Sequence, residues 1–223
     1  MAAPLFTDQF TGTSGAPDSL LWDSFASPGC TCVLSSNTLN MTMDGTSGDY
    51  AAAETKRYDI GPDVDLYVDF VAPNPIAGAI RQSVYWRCGP TSDPTSGTHY
   101  VDSYAMLVRQ DAGTYFIDAY KGGVNTNLVS GASFAISAGD TVHIRILHVG
   151  TSLRIKLWKN TAVEPTTWQQ TFNTSLWPTT PGKVTLETYN GTAVAGSGAF
   201  DALKVRTVGP TQTATDSCYY RAG

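Results

Sequence analysis

At 223 residues the chain has room for one large β domain; its 42% hydrophobic content supplies a core, and 15% charged residues is too few for a disordered polymer. Nineteen acidic against fourteen basic residues leave a formal charge of −5, without any Lys/Arg cluster, which argues against nucleic acid as the main partner. No apolar run reaches bilayer length, and the opening Met1 to Asp8 has neither a basic n-region nor an apolar h-region. The expectation is a chain made in a cytoplasm, without an export signal or membrane insertion.

In chain order, Leu5 to Phe10 reads as a first strand, with a Gly/Ser/Pro turn from Gly12 to Asp18 behind it. Leu20 to Phe25, containing Trp22, is a short edge element. Val33-Leu34 and Thr38 to Met43 flank Ser35-Ser36-Asn37, a hairpin turn. Tyr50 to Thr55 is short and Ala-rich. Asp63-Val64-Asp65-Leu66-Tyr67-Val68-Asp69-Phe70 then alternates strictly, so Val64, Leu66, Val68 and Phe70 share one strand face and the three aspartates and Tyr67 share the other. Ile80 to Cys88 alternates again and places Trp86 and Cys88 on the side of Ile80 and Val84. Gly89 to Thr98 is loop by composition.

Tyr100 to Gln110 and Thr114 to Lys121 are joined by the turn chemistry of Asp111-Ala112-Gly113. Asn125 to Val129 comes next. Thr141 to Val149 and Leu153 to Lys159 form a hairpin around Gly150-Thr151-Ser152, with Leu153, Ile155 and Leu157 on one face and Arg154, Lys156 and Trp158 on the other. Val184 to Tyr189 and Phe200 to Val205 close the pattern. Helical periodicity is nearly absent. The twelve to fourteen strands counted this way exceed an immunoglobulin-like sandwich and suit an all-β, two-sheet antiparallel jelly roll over residues 1–208. Residues 209–223 are polar linker composition ending in Cys218-Tyr219-Tyr220-Arg221, a tail that either folds back or docks on another subunit.

Cys30, Cys32, Cys88 and Cys218 allow three disulfide connectivities. Cys30 and Cys32 point to opposite faces of an extended segment. A four-thiolate zinc site needs two knuckles of wider spacing, and the chain has one close pair whose gap is too short. Ordinary thiols or one disulfide are the simpler expectation.

Four segments carry a family likeness: Phe6-Thr7-Asp8-Gln9-Phe10 with Trp22, Leu39 to Met43, the Thr141 to Lys159 hairpin, and Phe200-Asp201-Ala202-Leu203-Lys204-Val205. Together they resemble the concanavalin A-like lectin/glucanase superfamily, particularly its laminin-G-like jelly rolls. Such domains occur in carbohydrate-binding modules, glycosidases and bacteriophage structural proteins. The Thr/Ser/Gly/Ala-rich composition and short tail look most like the phage-borne versions in minor tail or head-decoration proteins. What the resemblance implies is a non-enzymatic virion protein, homo-oligomeric in the particle and contacting other virion proteins or host-surface glycan. It also implies one structural calcium between the first and last strands, where Asp8 and Asp201 stand; two plain surface aspartates are the alternative.

Retaining glucanases of that superfamily carry Glu-x-Asp-x-x-Glu, or a form one residue shorter, on one strand. Here the nearest pattern is Asp63-x-Asp65-x-x-x-Asp69, with Asp for Glu throughout and Tyr67 intervening. Asp63 and Asp65 stand roughly 6 to 7 Å apart along a strand, near the range for inverting hydrolysis. An alternating strand offers no burial to raise a general acid, so a solvated face is the expectation and a jelly-roll glycoside hydrolase using Asp63, Asp65 and Asp69 is the alternative. His143 and His148 point to opposite faces, and no nucleophile elbow, zinc-binding helix or phosphate loop is present. For binding, the candidates are exposed aromatics beside planar polar groups: Trp158 with Arg154 and Lys156, Tyr67 with Asp65 and Asp69, and Tyr100 with Asp102 beside a loop.

Overall fold

A computed structural model describes residues 6–57, 60–61, 63–72, 80–88, 103–111, 114–121, 126–173 and 181–208, with backbone alone within 106–133. Sixteen strands run through these residues, and helix is absent among them. They are β1 (Phe6–Asp8), β2 (Ser14–Gly15), β3 (Trp22–Ala26), β4 (Thr31–Ser35), β5 (Thr38–Met43), β6 (Tyr50–Thr55), β7 (Val64–Val71) and β8 (Ile80–Cys88). Then come β9 (Tyr104–Asp111), β10 (Thr114–Lys121), β11 (Thr126–Ser133), β12 (Thr141–Val149), β13 (Ser152–Lys159), β14 (Gln170–Asn173), β15 (Lys183–Asn190) and β16 (Gly196–Thr207).

Two antiparallel sheets result. The nine-stranded sheet runs β14-β13-β12-β7-β16-β5-β4-β2, with β1 also on β16, and the seven-stranded sheet runs β11-β10-β9-β8-β15-β6-β3. The all-β sandwich expected from alternation is what forms. Val64, Leu66, Val68 and Phe70 of β7, Val142, Ile144 and Ile146 of β12, and Leu203 and Val205 of β16 face Val84 and Trp86 of β8 and Val184 and Leu186 of β15 in one core. Each apolar row is two residues apart in sequence because that is the period at which side chains return to the same side of a strand.

The β4–β5 hairpin closes through Ser36 and Asn37, both at positive φ (54° and 60°), the backbone that a two-residue turn with the right twist demands. Its tip is tied to the first loop, since the Asn37 N–H donates to the Gly12 carbonyl (2.9 Å) and the Gly12 N–H to Asn37 Oδ1 (3.1 Å).

One expectation from alternation fails at β8. Val184 pairs with Trp86 but Lys183 pairs with Cys88, so Arg87 is an extra residue, a bulge with φ of 59°. The insertion turns Cys88 away from Trp86. It lands with Tyr85 and Ala105 in a small apolar cluster on the opposite side of the sheet. The backbone of Gly182 nests against this bulge, where an added Cβ would lie 2.6 Å from the Arg87 carbonyl carbon.

Candidate functional site

On the outer face of the nine-stranded sheet, strand register fixes three cross-strand rows. Trp158, His143, Asp69 and Ala202 form one; Lys156, Arg145, Tyr67, Lys204 and Thr7 the next; Arg154, Leu147, Asp65 and Arg206 the third. Arg145 is the hub. Its Nε and Nη2 donate to the two oxygens of Asp65 (2.9 and 3.0 Å), and Nη1 donates to Glu164 Oε1 (2.8 Å), which also takes Lys156 Nζ (3.1 Å). Burial opposes the guanidinium's charge, but the Asp65 and Glu164 carboxylates outweigh it and hold the pKa above the ordinary arginine value. Trp168 lies under both cations, 5.5 Å from the Arg145 guanidinium and 4.7 Å from Lys156 Nζ.

A second network adjoins it. His143 Nδ1 meets Asp69 Oδ1 and lies 3.0 Å from the Tyr67 hydroxyl, while Nε2 donates to the Asn160 carbonyl at 2.8 Å. The Trp158 ring stacks on His143 at 5.3 Å between centroids, with Tyr67 tilted against it at 5.8 Å.

The acid row is therefore not a plain solvated face. Asp69 is buried against His143, and Asp63 accepts the Gly150 N–H (2.8 Å) with Arg87 3.7 Å away. Asp65 receives two guanidinium N–H donors, Asp63 one backbone N–H, and Asp69 the His143 imidazole. Trp158, expected to be the most exposed aromatic, is only 8% exposed, and Lys156 is buried beside it. The segment 160–169 covers this end of the face with Glu164 and Trp168, and sequence periodicity carries no information about such a covering loop. Tyr67, Asp65, Arg154, Lys204 and Arg206 stay partly exposed. Tyr100 and Asp102 lie outside the described residues.

Asp8 ends β1 and Asp201 lies in β16, the strand that pairs with it. Asp8 Oδ1 accepts the Phe10 N–H and Oδ2 the Trp22 indole N–H, both at 2.7 Å, so this carboxylate pins Trp22 into the core. It has no two further acidic, thiol or imidazole side chains grouped with it among the described residues.

The outer face of the seven-stranded sheet carries a cluster that sequence reasoning missed. Glu54 on β6 accepts Lys183 Nζ (2.6 Å) and the Thr185 hydroxyl (3.0 Å), and Glu187 on β15 accepts the Tyr85 hydroxyl (3.1 Å). Both carboxylates are nearly fully buried, and burial together with Glu187 pushes the Tyr85 phenol well above its usual pKa. The available signal was the alternation Lys183-Thr185-Glu187 against Val184-Leu186.

Among the described residues, one group of three metal-capable side chains converges: Cys30, Asp44 and Asp49, whose ligand atoms lie within 4.8 Å of one another.

No protein-family model and no curated protein matches the chain, but solved structures do. The lectin UEA-II complexed with galactose superposes with a TM-score of 0.64 at 10% identity, covering 92% of this chain and all of that one. The fold is that of the legume-lectin-like jelly rolls. The exoplasmic/lumenal domain of VIP36 in its Ca2+/Man3GlcNAc-bound form gives 0.61 at 11% identity over 94% of this chain and 93% of its own. A structure from work on endo-acting O-glycanases of the human gut microbiota gives 0.64 at 9% identity, covering 93% of this chain and 100% of that chain. At these identities the shared property is this lectin-like jelly roll itself, which hosts both sugar binding and sugar cleavage elsewhere.

Proposed function

We propose that this chain is a non-enzymatic carbohydrate-recognition module that meets glycan through the outer face of its nine-stranded sheet. The observation that carries the reading is the half-open patch of Tyr67, Asp65, Arg154, Lys204 and Arg206, held rigid from beneath by Arg145 and its two carboxylates. An aromatic ring flanked by fixed planar polar groups is the chemistry that sugar faces and hydroxyls require. Structural neighbours described as bound to galactose and to Man3GlcNAc lend the fold-level support. The occupied acid row Asp63, Asp65 and Asp69 speaks against hydrolysis there.

Glycan-array binding tests the proposal. Tyr67→Ala and Arg154→Ala are each expected to weaken the best glycan about tenfold or more, with the melting temperature of Arg154→Ala staying close to wild type. Binding unchanged in both variants overturns this face as the site. Glycan cleavage abolished by Glu187→Gln overturns the non-enzymatic reading and moves function to the other sheet. Display on a virion extends the proposal on the strength of the resemblance to phage-borne jelly rolls. Removing residues 209–223 is then expected to abolish particle incorporation and leave the domain folded.

A further inference from the structure

Far from the proposed glycan face, the β3–β4 turn and the β5–β6 loop bring a thiol and two carboxylates together. Asp44 is exposed, Cys30 is half-buried, and Asp49 is 7% exposed. Asp49 Oδ2 is fully buried and takes no donor from outside the group, its carboxyl facing the Asp44 carboxylate and the Cys30 thiol. An acceptor oxygen stranded beside a second carboxylate is costly unless a positive charge or a proton stands between them.

The surrounding backbone holds the three donors in place. Asp44 Oδ1 accepts the Thr46 N–H (2.9 Å), which fixes its carboxylate at the start of the loop. The Cys30 N–H donates to the Ser27 carbonyl (3.0 Å), closing the turn that presents the thiol. Gly29, at φ of 84°, leaves the space that Asp44 uses: a Cβ there would fall 2.2 Å from Asp44 Oδ2.

We infer that Cys30, Asp44 and Asp49 form a binding site for one divalent cation of the zinc class. Zinc takes thiolate sulfur at about 2.3 Å and carboxylate oxygen at about 2.0–2.2 Å, which puts neighbouring ligands roughly 3.4–3.8 Å apart. Donor atoms within 4.8 Å reach that spacing by small side-chain rotations. The thiolate favours zinc or cadmium over calcium, whose ligands are oxygen alone. A fourth position is left for water. This is not a four-cysteine knuckle, since Cys32 points into the core and Cys88 lies on the other sheet's outer face.

The test is zinc chloride titrated calorimetrically into the full, chelator-treated chain, with Cys30→Ser, Asp44→Asn and Asp49→Asn alongside. Saturation at one ion per chain is expected, weakened at least about tenfold by each substitution. Cadmium should produce the ultraviolet thiolate-to-metal band in wild type and none in Cys30→Ser. Because Asp44 is exposed, Asp44→Asn should melt like wild type without metal, and zinc should raise the melting temperature of wild type alone. Absence of saturable zinc uptake, or uptake unchanged in all three variants, overturns the site and leaves a proton shared between two aspartates. Calcium binding that survives Cys30→Ser, with zinc ignored, overturns it equally.

Discussion

Asp65 sits on a strand whose pattern suggests a wet face, yet its carboxylate is the bidentate partner of a guanidinium only 8% exposed. Replacing it with alanine removes the two hydrogen bonds that Arg145 makes through Nε and Nη2 and costs a buried cation its bidentate carboxylate. Asp65→Ala is expected to cost about 2–3 kcal/mol in urea denaturation, the range for a lost hydrogen bond to a buried charged group. Arg154, in the same cross-strand row but partly exposed, should change stability by less than about 0.5 kcal/mol when cut to alanine. Equal effects at the two positions would show that Arg145 is not the hub of the face. Alternation identified correctly which residues share a side of β7, β12 and β13. It had no means of showing that segment 160–169 would lay Glu164 and Trp168 over one end, so Trp158 read as open when it is covered.

At the scale of elements, strand positions were legible because the buried sheets force a strict two-residue period, and β6 and β8 match their expected bounds residue for residue. Short edge pieces such as β2 and β14 lack that pressure: their residues are exposed or half-buried, and Phe172 of β14 is their one large apolar side chain. The β8 bulge was invisible for a different reason. A single inserted residue leaves the apolar pattern up to Trp86 intact and reverses only the positions beyond Arg87, so Cys88 reads on the wrong side. The partner strand carries the complementary feature. Gly182 donates its N–H to the Ile60 carbonyl (3.0 Å) and has the Arg87 and Cys88 backbone where a Cβ would stand. Gly182→Ala must therefore push the bulge away from β15, at a cost of about 1–3 kcal/mol. Denaturation midpoints check the magnitude; a variant as stable as wild type would mean that the bulge is not seated on this glycine.

For the molecule as a whole, stability depends on the two sheets staying apposed, and a histidine lies at their interface. His148 points inward from β12, accepts the Trp86 indole N–H of the opposite sheet on Nδ1 (3.1 Å), and meets the Tyr104 ring edge-on at 5.2 Å. Burial, with the nearby Arg87 charge adding to it, lowers its pKa from 6.5 to about 3. Above the ordinary value the imidazole is neutral in both the folded and the unfolded chain, and it contributes no pH dependence. As pH falls from 6.5 toward 3 the unfolded chain takes up a proton that the folded one refuses. Stability then declines by up to about 1.4 kcal/mol per pH unit, and this contribution levels off once the folded ring is protonated too. Ordinary carboxylates titrate mainly below pH ~5, so the diagnostic interval is roughly pH 6.5 to 5. In that interval wild type should lose melting temperature steadily, whereas His148→Gln, whose amide oxygen can still accept from Trp86, should show a slope smaller by close to one proton. His143 is common to both proteins and cancels from the comparison. Identical pH profiles for the two would place the acid sensitivity outside the interface between the sheets.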